Sequence, residues 1–292
     1  MTCMDVVQRI RIELEARATT TKLVAGVLTN MLGKTEVEVC DELVTTLAAV
    51  PAYYPTGWYD PPPGGAAVLF GAAPNYQRLQ FDTLRSQAHW PKQNHRYEAE
   101  GVAMVYVSPV DCASGVFGDV GVSVYQGDNH AVQDHFCSGL KAMEDVVAAI
   151  AVGMEFKEIY ARTQASFKIH GLQNHRTVVT TDWATTNLGH TVPWTCSEPT
   201  AEDEVALTGS DFTALREAIR VRRVFINSEQ IFKVPTTGLF TFEARVESVD
   251  NPTLPLIFFH FLVGFVDGEK IVQTNYQLLF DALGMSFVRS TY

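Results

Sequence analysis

Over the first fifty residues, apolar side chains recur every three to four positions. Val6, Ile10, Leu14 and Ala18 share one helical face, as do Leu23, Val27 and Leu28. Gly33 interrupts the pattern. Thr35 with Glu38 three residues on is a capping box, which predicts a second helix to about Ala49. Residues 51–65, PAYYPTGWYDPPPGG, hold too much proline and glycine for regular structure. Val68–Phe70 and Val102–Val107 read as strands. A polar stretch with His89, Trp90 and His95 lies between them. Residues 110–126 alternate and carry glycines, which predicts a hairpin with Gly115 near its turn. Phe136, Leu140, Met143, Val147 and Ile150 fall on one face of a helix from His130 to about Val152. Gly153 stops it, and another helix starts near Phe156. Asp211-Phe212-Thr213 opens a further helix. Leu239–Val246, Leu256–Phe265 and Ile271–Phe280 read as strands.

Composition narrows the classes. The chain has 292 residues, 47% hydrophobic and 19% charged. Its mean hydropathy is +0.03. That is enough apolar material for a large core, and disorder is excluded. No composition shift marks a linker, so residues 1–292 are expected to form a single domain. The net charge of −11 argues against nucleic acid and against an anionic membrane surface. A small molecule or peptide is left as the expected partner. The cysteines Cys3, Cys40, Cys112, Cys137 and Cys196 are odd in number and contain no CxxC. They read as free thiols in a reducing compartment. The amino terminus lacks a signal-peptide pattern, and Leu256–Phe265 is too short to span a bilayer. A cytoplasmic location is expected.

A faint repeat runs through the chain. Gly33-Lys-Thr-Glu-Val-Glu38-Val and Gly153-Met-Glu-Phe-Lys-Glu158-Ile each sit between helical stretches and share G-x-x-x-x-E-aliphatic. The order of helix, Gly-x-Thr-Glu, helix, strands, long helix, Gly, helix and strands resembles the metallopeptidase family of methionine aminopeptidase, aminopeptidase P and prolidase. Creatinase shares that fold. The resemblance implies an α+β pita-bread fold: a curved antiparallel sheet with helices outside, in two pseudo-symmetric halves, about 1–125 and 126–292. It also implies a homodimer.

The family's motifs survive in pieces. His89-Trp-Pro91 before Gly101 loosely matches its substrate-side histidine. Gly115-Val-Phe-Gly-Asp119 matches the motif of one aspartate ligand. The other aspartate would fall at about Tyr106 to Ser108, where no carboxylate stands; Asp111 is nearest. A competing register uses Asp119 and Asp128 and disturbs the helix spacing. Gly189-His190 retains the ligand histidine. Ser197 replaces the motif's second histidine, and Glu198 stands where its glutamate does. Phe240-Thr-Phe-Glu243 retains a glutamate ligand. Asn275 occupies the place of the last one. Residues 202–234 look like an insert at the pocket mouth.

With two carboxylates lost, a dinuclear centre is not expected. The resemblance implies one divalent ion (Fe, Mn, Co or Zn) held by Asp119, His190 and Glu243, with Asn275 as a neutral ligand. His89 and Glu198 are the candidate acid–base groups, and Ser197, Trp194 and His260 the candidate substrate contacts. The expected activity is hydrolysis, elimination or oxidation of a small molecule rather than peptide cleavage. A metal-independent, creatinase-like C–N hydrolase and a non-catalytic binding protein stay open beside it. So do plainer roles. Asp119 suits a turn, Glu243 an ion pair with Arg245, and His260 a core position. Arg216, Arg220, Arg222 and Arg223 suit a solvated or dimer-facing helix side.

Overall fold

The computed structural model describes residues 4–60, 62–175 and 186–292. Helix α1, Val6–Leu28, starts at Asp5, whose side chain and that of Gln8 form a capping box. Helix α2, Glu36–Ala48, starts at the expected box of Thr35 and Glu38. Strands β1 (Ala66–Ala72), β2 (Gly101–Val107) and β3 (Val120–Tyr125) form an antiparallel meander. Helices α3 (His130–Ala149) and α4 (Phe156–Ile169) follow, then the short strand β4 (Leu172–Asn174). Helices α5 (Ala201–Thr208) and α6 (Phe212–Arg222) fill the expected insert. Strands β5 (Gly238–Ser248), β6 (Ile257–Val266) and β7 (Glu269–Gln273) and helix α7 (Tyr276–Ala282) complete the chain.

The strands make one antiparallel sheet in the order β1-β2-β3-β6-β5-β4, with β7 also pairing β6. Two helix pairs, α1–α2 and α3–α4, repeat one local design. Gly33 and Gly153 take φ values of 78° and 84° between the paired helices, a region open to glycine without strain. Each glycine is followed two residues later by the first residue of a capping box, Thr35 or Glu155. The faint sequence repeat is therefore this turn and cap, used twice.

Val24, Leu28, Val39, Leu43, Phe136, Leu140, Met143 and Phe156 from the helix pairs pack on the strands in one apolar cluster. A smaller cluster around Trp58, Phe117, Val192, Trp194 and Leu215 lies under the loops. Among the described residues no helix is long and apolar enough to cross a membrane.

Three expectations need correction. Ile271–Phe280 is not one strand: β7 ends at Gln273, Asn275 turns left-handed at φ 58°, and α7 begins. A residue in that conformation cannot continue a ladder. Tyr276, Leu279 and Phe280 then bury themselves at helical spacing. The hairpin strands are β2 and β3, paired from Val107↔Val120 rather than filling 110–126, although Gly115 does lie at the turn, which the Val110↔Phe117 bridge closes. Finally, the buried face of α1 begins not with Leu14 and Ala18 but with Arg9, Glu13 and Arg17. Arg9 and Arg17 have polar partners, described below, and so tolerate burial.

One seam interrupts the sheet. Strand β3 meets β6 in register at Val122↔Phe259. Strand β7 joins the same edge of β6 only from Leu262. His260 lies between these two pairings, where side chains replace the ladder. The Tyr276 hydroxyl donates to the carbonyls of Gly121 and His260, at 2.8 and 2.9 Å.

Candidate active site

A cavity of about 90 Å³ opens beside the centre of the sheet. Its walls include Trp58, Tyr59, Phe81, Tyr106, Phe225 and Phe258, and its polar groups include His190, Arg223 and Glu243. Each element delivers one or two of these groups. The proline-rich loop after α2 brings Trp58 and Tyr59, β2 brings Tyr106, and the end of α6 brings Arg223. Strand β5 brings Glu243, directly opposite His260 of β6. Opposed residues of an antiparallel pair point to one face.

Asp119 sits just before β3 and is buried. One carboxyl oxygen accepts from the Trp58 Nε1 at 2.9 Å, and the other from the Tyr106 hydroxyl at 2.8 Å. Tyr106 thus stands where the resemblance called for a first aspartate, and it hydrogen-bonds the aspartate that remains. Burial raises Asp119 to about 8, against the pull of these two hydrogen bonds. Burial likewise raises Glu243 to about 7, with Arg223 and Arg17 acting against it. Burial and the nearby Arg223 push His190 well down, so its ring is neutral. The ring lies edge-on to Trp58, Phe117 and Phe225 at centroid distances of 6.1, 5.9 and 5.9 Å. Its Nδ1 lies 3.1 Å from the Thr191 carbonyl. That nitrogen donates, which leaves Nε2 unprotonated.

Arg223 stacks over Trp58 and Phe225, its guanidinium carbon 4.5 and 5.0 Å from the ring centroids. Among the described residues its only hydrogen bond runs from Nε to the Arg220 carbonyl, at 3.4 Å. Burial lowers it to about 10, so it stays charged at neutral pH. A charged fork with open donors against an aromatic wall suits a carboxylate or phosphate.

Beneath this site runs the charged face of α1. Arg9 donates to the Ser114 carbonyl, and Arg17 to those of Asp119 and His260. Arg17 Nη1 also lies 2.7 Å from His260 Nδ1. Arginine only donates, so that nitrogen accepts. The same helix therefore braces the β2–β3 loop at its middle, through Ser114, and at its end, through Asp119. Asp111, the alternative aspartate, caps that loop by accepting from the backbone of Ala113 and Ser114 at 3.0 and 2.8 Å.

The expected ligand set does not converge. Among the described residues no group of three or more His, Cys, Asp or Glu side chains is placed to hold a metal ion. His190 and Glu243 line the cavity, and Asp119 is buried behind the wall residues Trp58 and Tyr106, but Asn275 lies apart, at the start of α7. Each oxygen of Asp119 already accepts one hydrogen bond, from Trp58 or Tyr106. Two guanidinium groups act on these carboxyls, Arg17 on Asp119 and both Arg17 and Arg223 on Glu243. The residues therefore do not fit the divalent ion that the resemblance implied.

Other expectations also move. Ser197 and Glu198 are exposed and do not line the cavity, because the chain leaves the sheet after Thr195. Trp194 is buried in the smaller cluster, with φ of 61°. His89 ends a short 3-10 turn and packs behind the wall on Phe81, 5.9 Å between centroids. His260 is buried in the seam rather than facing the cavity. Arg245 is no partner for Glu243: it stacks on Phe81 at 3.7 Å and donates to the Leu79 carbonyl at 3.2 Å. Of the basic stripe, Arg216 pairs with Asp60, Arg220 with Glu217 and Arg222 with Asp203. Only Arg223 turns inward.

Sheet, helix pairs and site together define the pita-bread fold. Solved structures of that fold superpose on the chain. The Xaa-Pro dipeptidase of Bacillus anthracis matches with TM-score 0.58 and 13% identity, over 93% of this chain and 61% of its own. The X-Pro aminopeptidase of Thermotoga maritima matches with TM-score 0.56 and 12% identity, over 90% of this chain and 61% of its own. This chain thus spans about three fifths of either. A methionine aminopeptidase from Thermotoga maritima is covered over 96% of its length, with TM-score 0.56 and 13% identity. No protein-family model and no curated protein matches the sequence.

Proposed function

We propose that the chain is a metal-independent enzyme acting on a small molecule that carries an anionic group. The observation that carries this reading is the pairing of Arg223 and Glu243 in one aromatic cavity. Arg223 anchors the anion through its open guanidinium donors. Trp58, Phe225 and Phe258 pack against the apolar part of the molecule. Glu243 exchanges a proton with the bound molecule. Its ionisation near neutrality suits either direction of transfer. His190, neutral with a free Nε2, is a hydrogen-bond acceptor at the same cavity. This keeps the metal independence of the creatinase-like expectation but changes two parts of it: an anionic rather than a cationic substrate, and Glu243 in place of His89 as the acid–base group. A non-catalytic binding role is the second reading. It is favoured by the absence of His89 and Glu198 from the cavity wall.

The test is ligand binding in excess chelator. A panel of small carboxylates and phosphates is screened by thermal shift and ligand-observed NMR against wild type, Arg223→Met and Glu243→Gln. Binding that survives chelator, disappears in Arg223→Met and persists without turnover in Glu243→Gln supports the proposal. Binding that requires added metal overturns it. Turnover unaffected in Glu243→Gln selects against the acid–base role.

A further inference from the structure

We infer that Arg17 is the resident cation of this site: its guanidinium takes the place that a divalent ion would need and keeps one out. The inference rests on the metal-free reading of the same cavity. Arg17 comes from α1, outside every motif that the resemblance matches. It is among the largest side chains that are fully buried, at 1% exposure. It enters the seam where β3 has left β6 and β7 has not yet joined it. There it binds the Asp119 carbonyl, the His260 carbonyl and His260 Nδ1. Its charge also acts on Glu13, Asp119 and Glu243. Oxygen and imidazole donors around one buried positive charge are what a divalent ion would also select.

The pairing across the sheet strengthens the point. Glu243, the retained glutamate, faces His260 in register. His260 gives its Nδ1 lone pair to Arg17, so that lone pair is closed to a metal. Arg17 Nε has no partner among the described residues. A side chain kept only to close the seam would waste a buried donor, whereas a cation held by surrounding charge tolerates one unmet contact.

The test is metal uptake by the full chain. Wild type, Arg17→Ala and Arg17→Lys are each expressed with and without added Mn or Co, dialysed, and analysed for metal. Folding is checked by circular dichroism. Wild type and Arg17→Lys are expected to hold no stoichiometric metal. Arg17→Ala is expected to take up about one ion per chain and to gain thermal stability from it, since a ligand of the folded state alone stabilises that state. Adding His260→Ala, which removes the imidazole that Arg17 occupies in wild type, should abolish the uptake. Arg17→Ala that folds without binding metal, or that fails to fold even with metal, overturns the inference. Metal in wild type overturns the metal-free reading as well, which separates the two failures.

Discussion

Replacing Asp119 with asparagine should remove much of the protein's loss of stability at alkaline pH. In the fold Asp119 holds its proton up to about 8, against an ordinary value of 3.8. The sign follows from linkage. Its folded value is raised, so its stabilising contribution is complete below the unfolded value and is lost as pH rises through about 8. At about 1.4 kcal/mol per unit, four units correspond to about 6 kcal/mol between pH 4 and pH 8. Glu243, raised to about 7, adds a smaller loss in the same direction. Asparagine keeps the shape, an oxygen to accept from Trp58 and an amide able to donate to the Tyr106 oxygen, but does not titrate. Urea unfolding followed by tryptophan fluorescence at several pH values is the assay, because Trp58 touches the group itself. The difference between wild type and Asp119→Asn should grow by several kcal/mol in favour of the variant from about pH 5 to pH 9. Parallel profiles would refute the buried, protonated aspartate.

Other consequences follow from named contacts. Tyr106→Phe removes a donor from Asp119 and should cost about 1–2 kcal/mol in chemical denaturation. It should also push the aspartate's pKa further up, as read by carboxyl carbon NMR. Glu36 is completely buried and accepts from Phe70 N, Lys92 N and Arg78 Nη2, each at 2.8 Å. It ties α2 to the segment bearing Phe81 and Leu84 of the cavity wall. Glu36→Ala should cost about 3–5 kcal/mol in the same unfolding assay. Arg223→Met should leave the melting temperature nearly unchanged, because the guanidinium has few protein partners, yet weaken anionic ligands at least about tenfold by titration calorimetry. Glu198→Gln should change ligand affinity by less than about twofold, since surface substitutions away from a site are close to neutral.

The sequence was legible where local rules act alone. Thr35 with Glu38 marked a helix start because a capping box needs only its own four residues. The spacing of Phe136, Leu140, Met143 and Val147 marked α3, and those residues are buried. The order of motif fragments pointed to the fold, and His190 and Glu243 line one cavity, with Asp119 behind its wall on Trp58 and Tyr106. The rest depended on non-local partners. Arg17 looked like an ordinary helix charge, since nothing in its neighbourhood announces that a sheet seam will cover it. Its one signal was the spacing of Arg9, Glu13 and Arg17 on one face. Arg223 was read together with Arg216, Arg220 and Arg222. It turns inward because the helix ends at Arg222 and the chain bends there. Asn275 was misplaced because counting residues back from Gly284 could not anticipate a left-handed turn. Tyr106 was visible only as a missing aspartate, until its hydroxyl proved to bond the remaining one.

The central claim is that guanidinium groups supply at this site the positive charge that the resemblance assigned to metal. The most direct measurement is equilibrium dialysis of wild type, purified without chelator, against Fe(II), Mn(II), Co(II) and Zn(II), followed by elemental analysis. The account predicts no stoichiometric uptake and no difference between wild type, Glu243→Gln and His190→Ala. Uptake of about one ion per chain in wild type, lost in both variants, is the signature of a three-donor site and would contradict it.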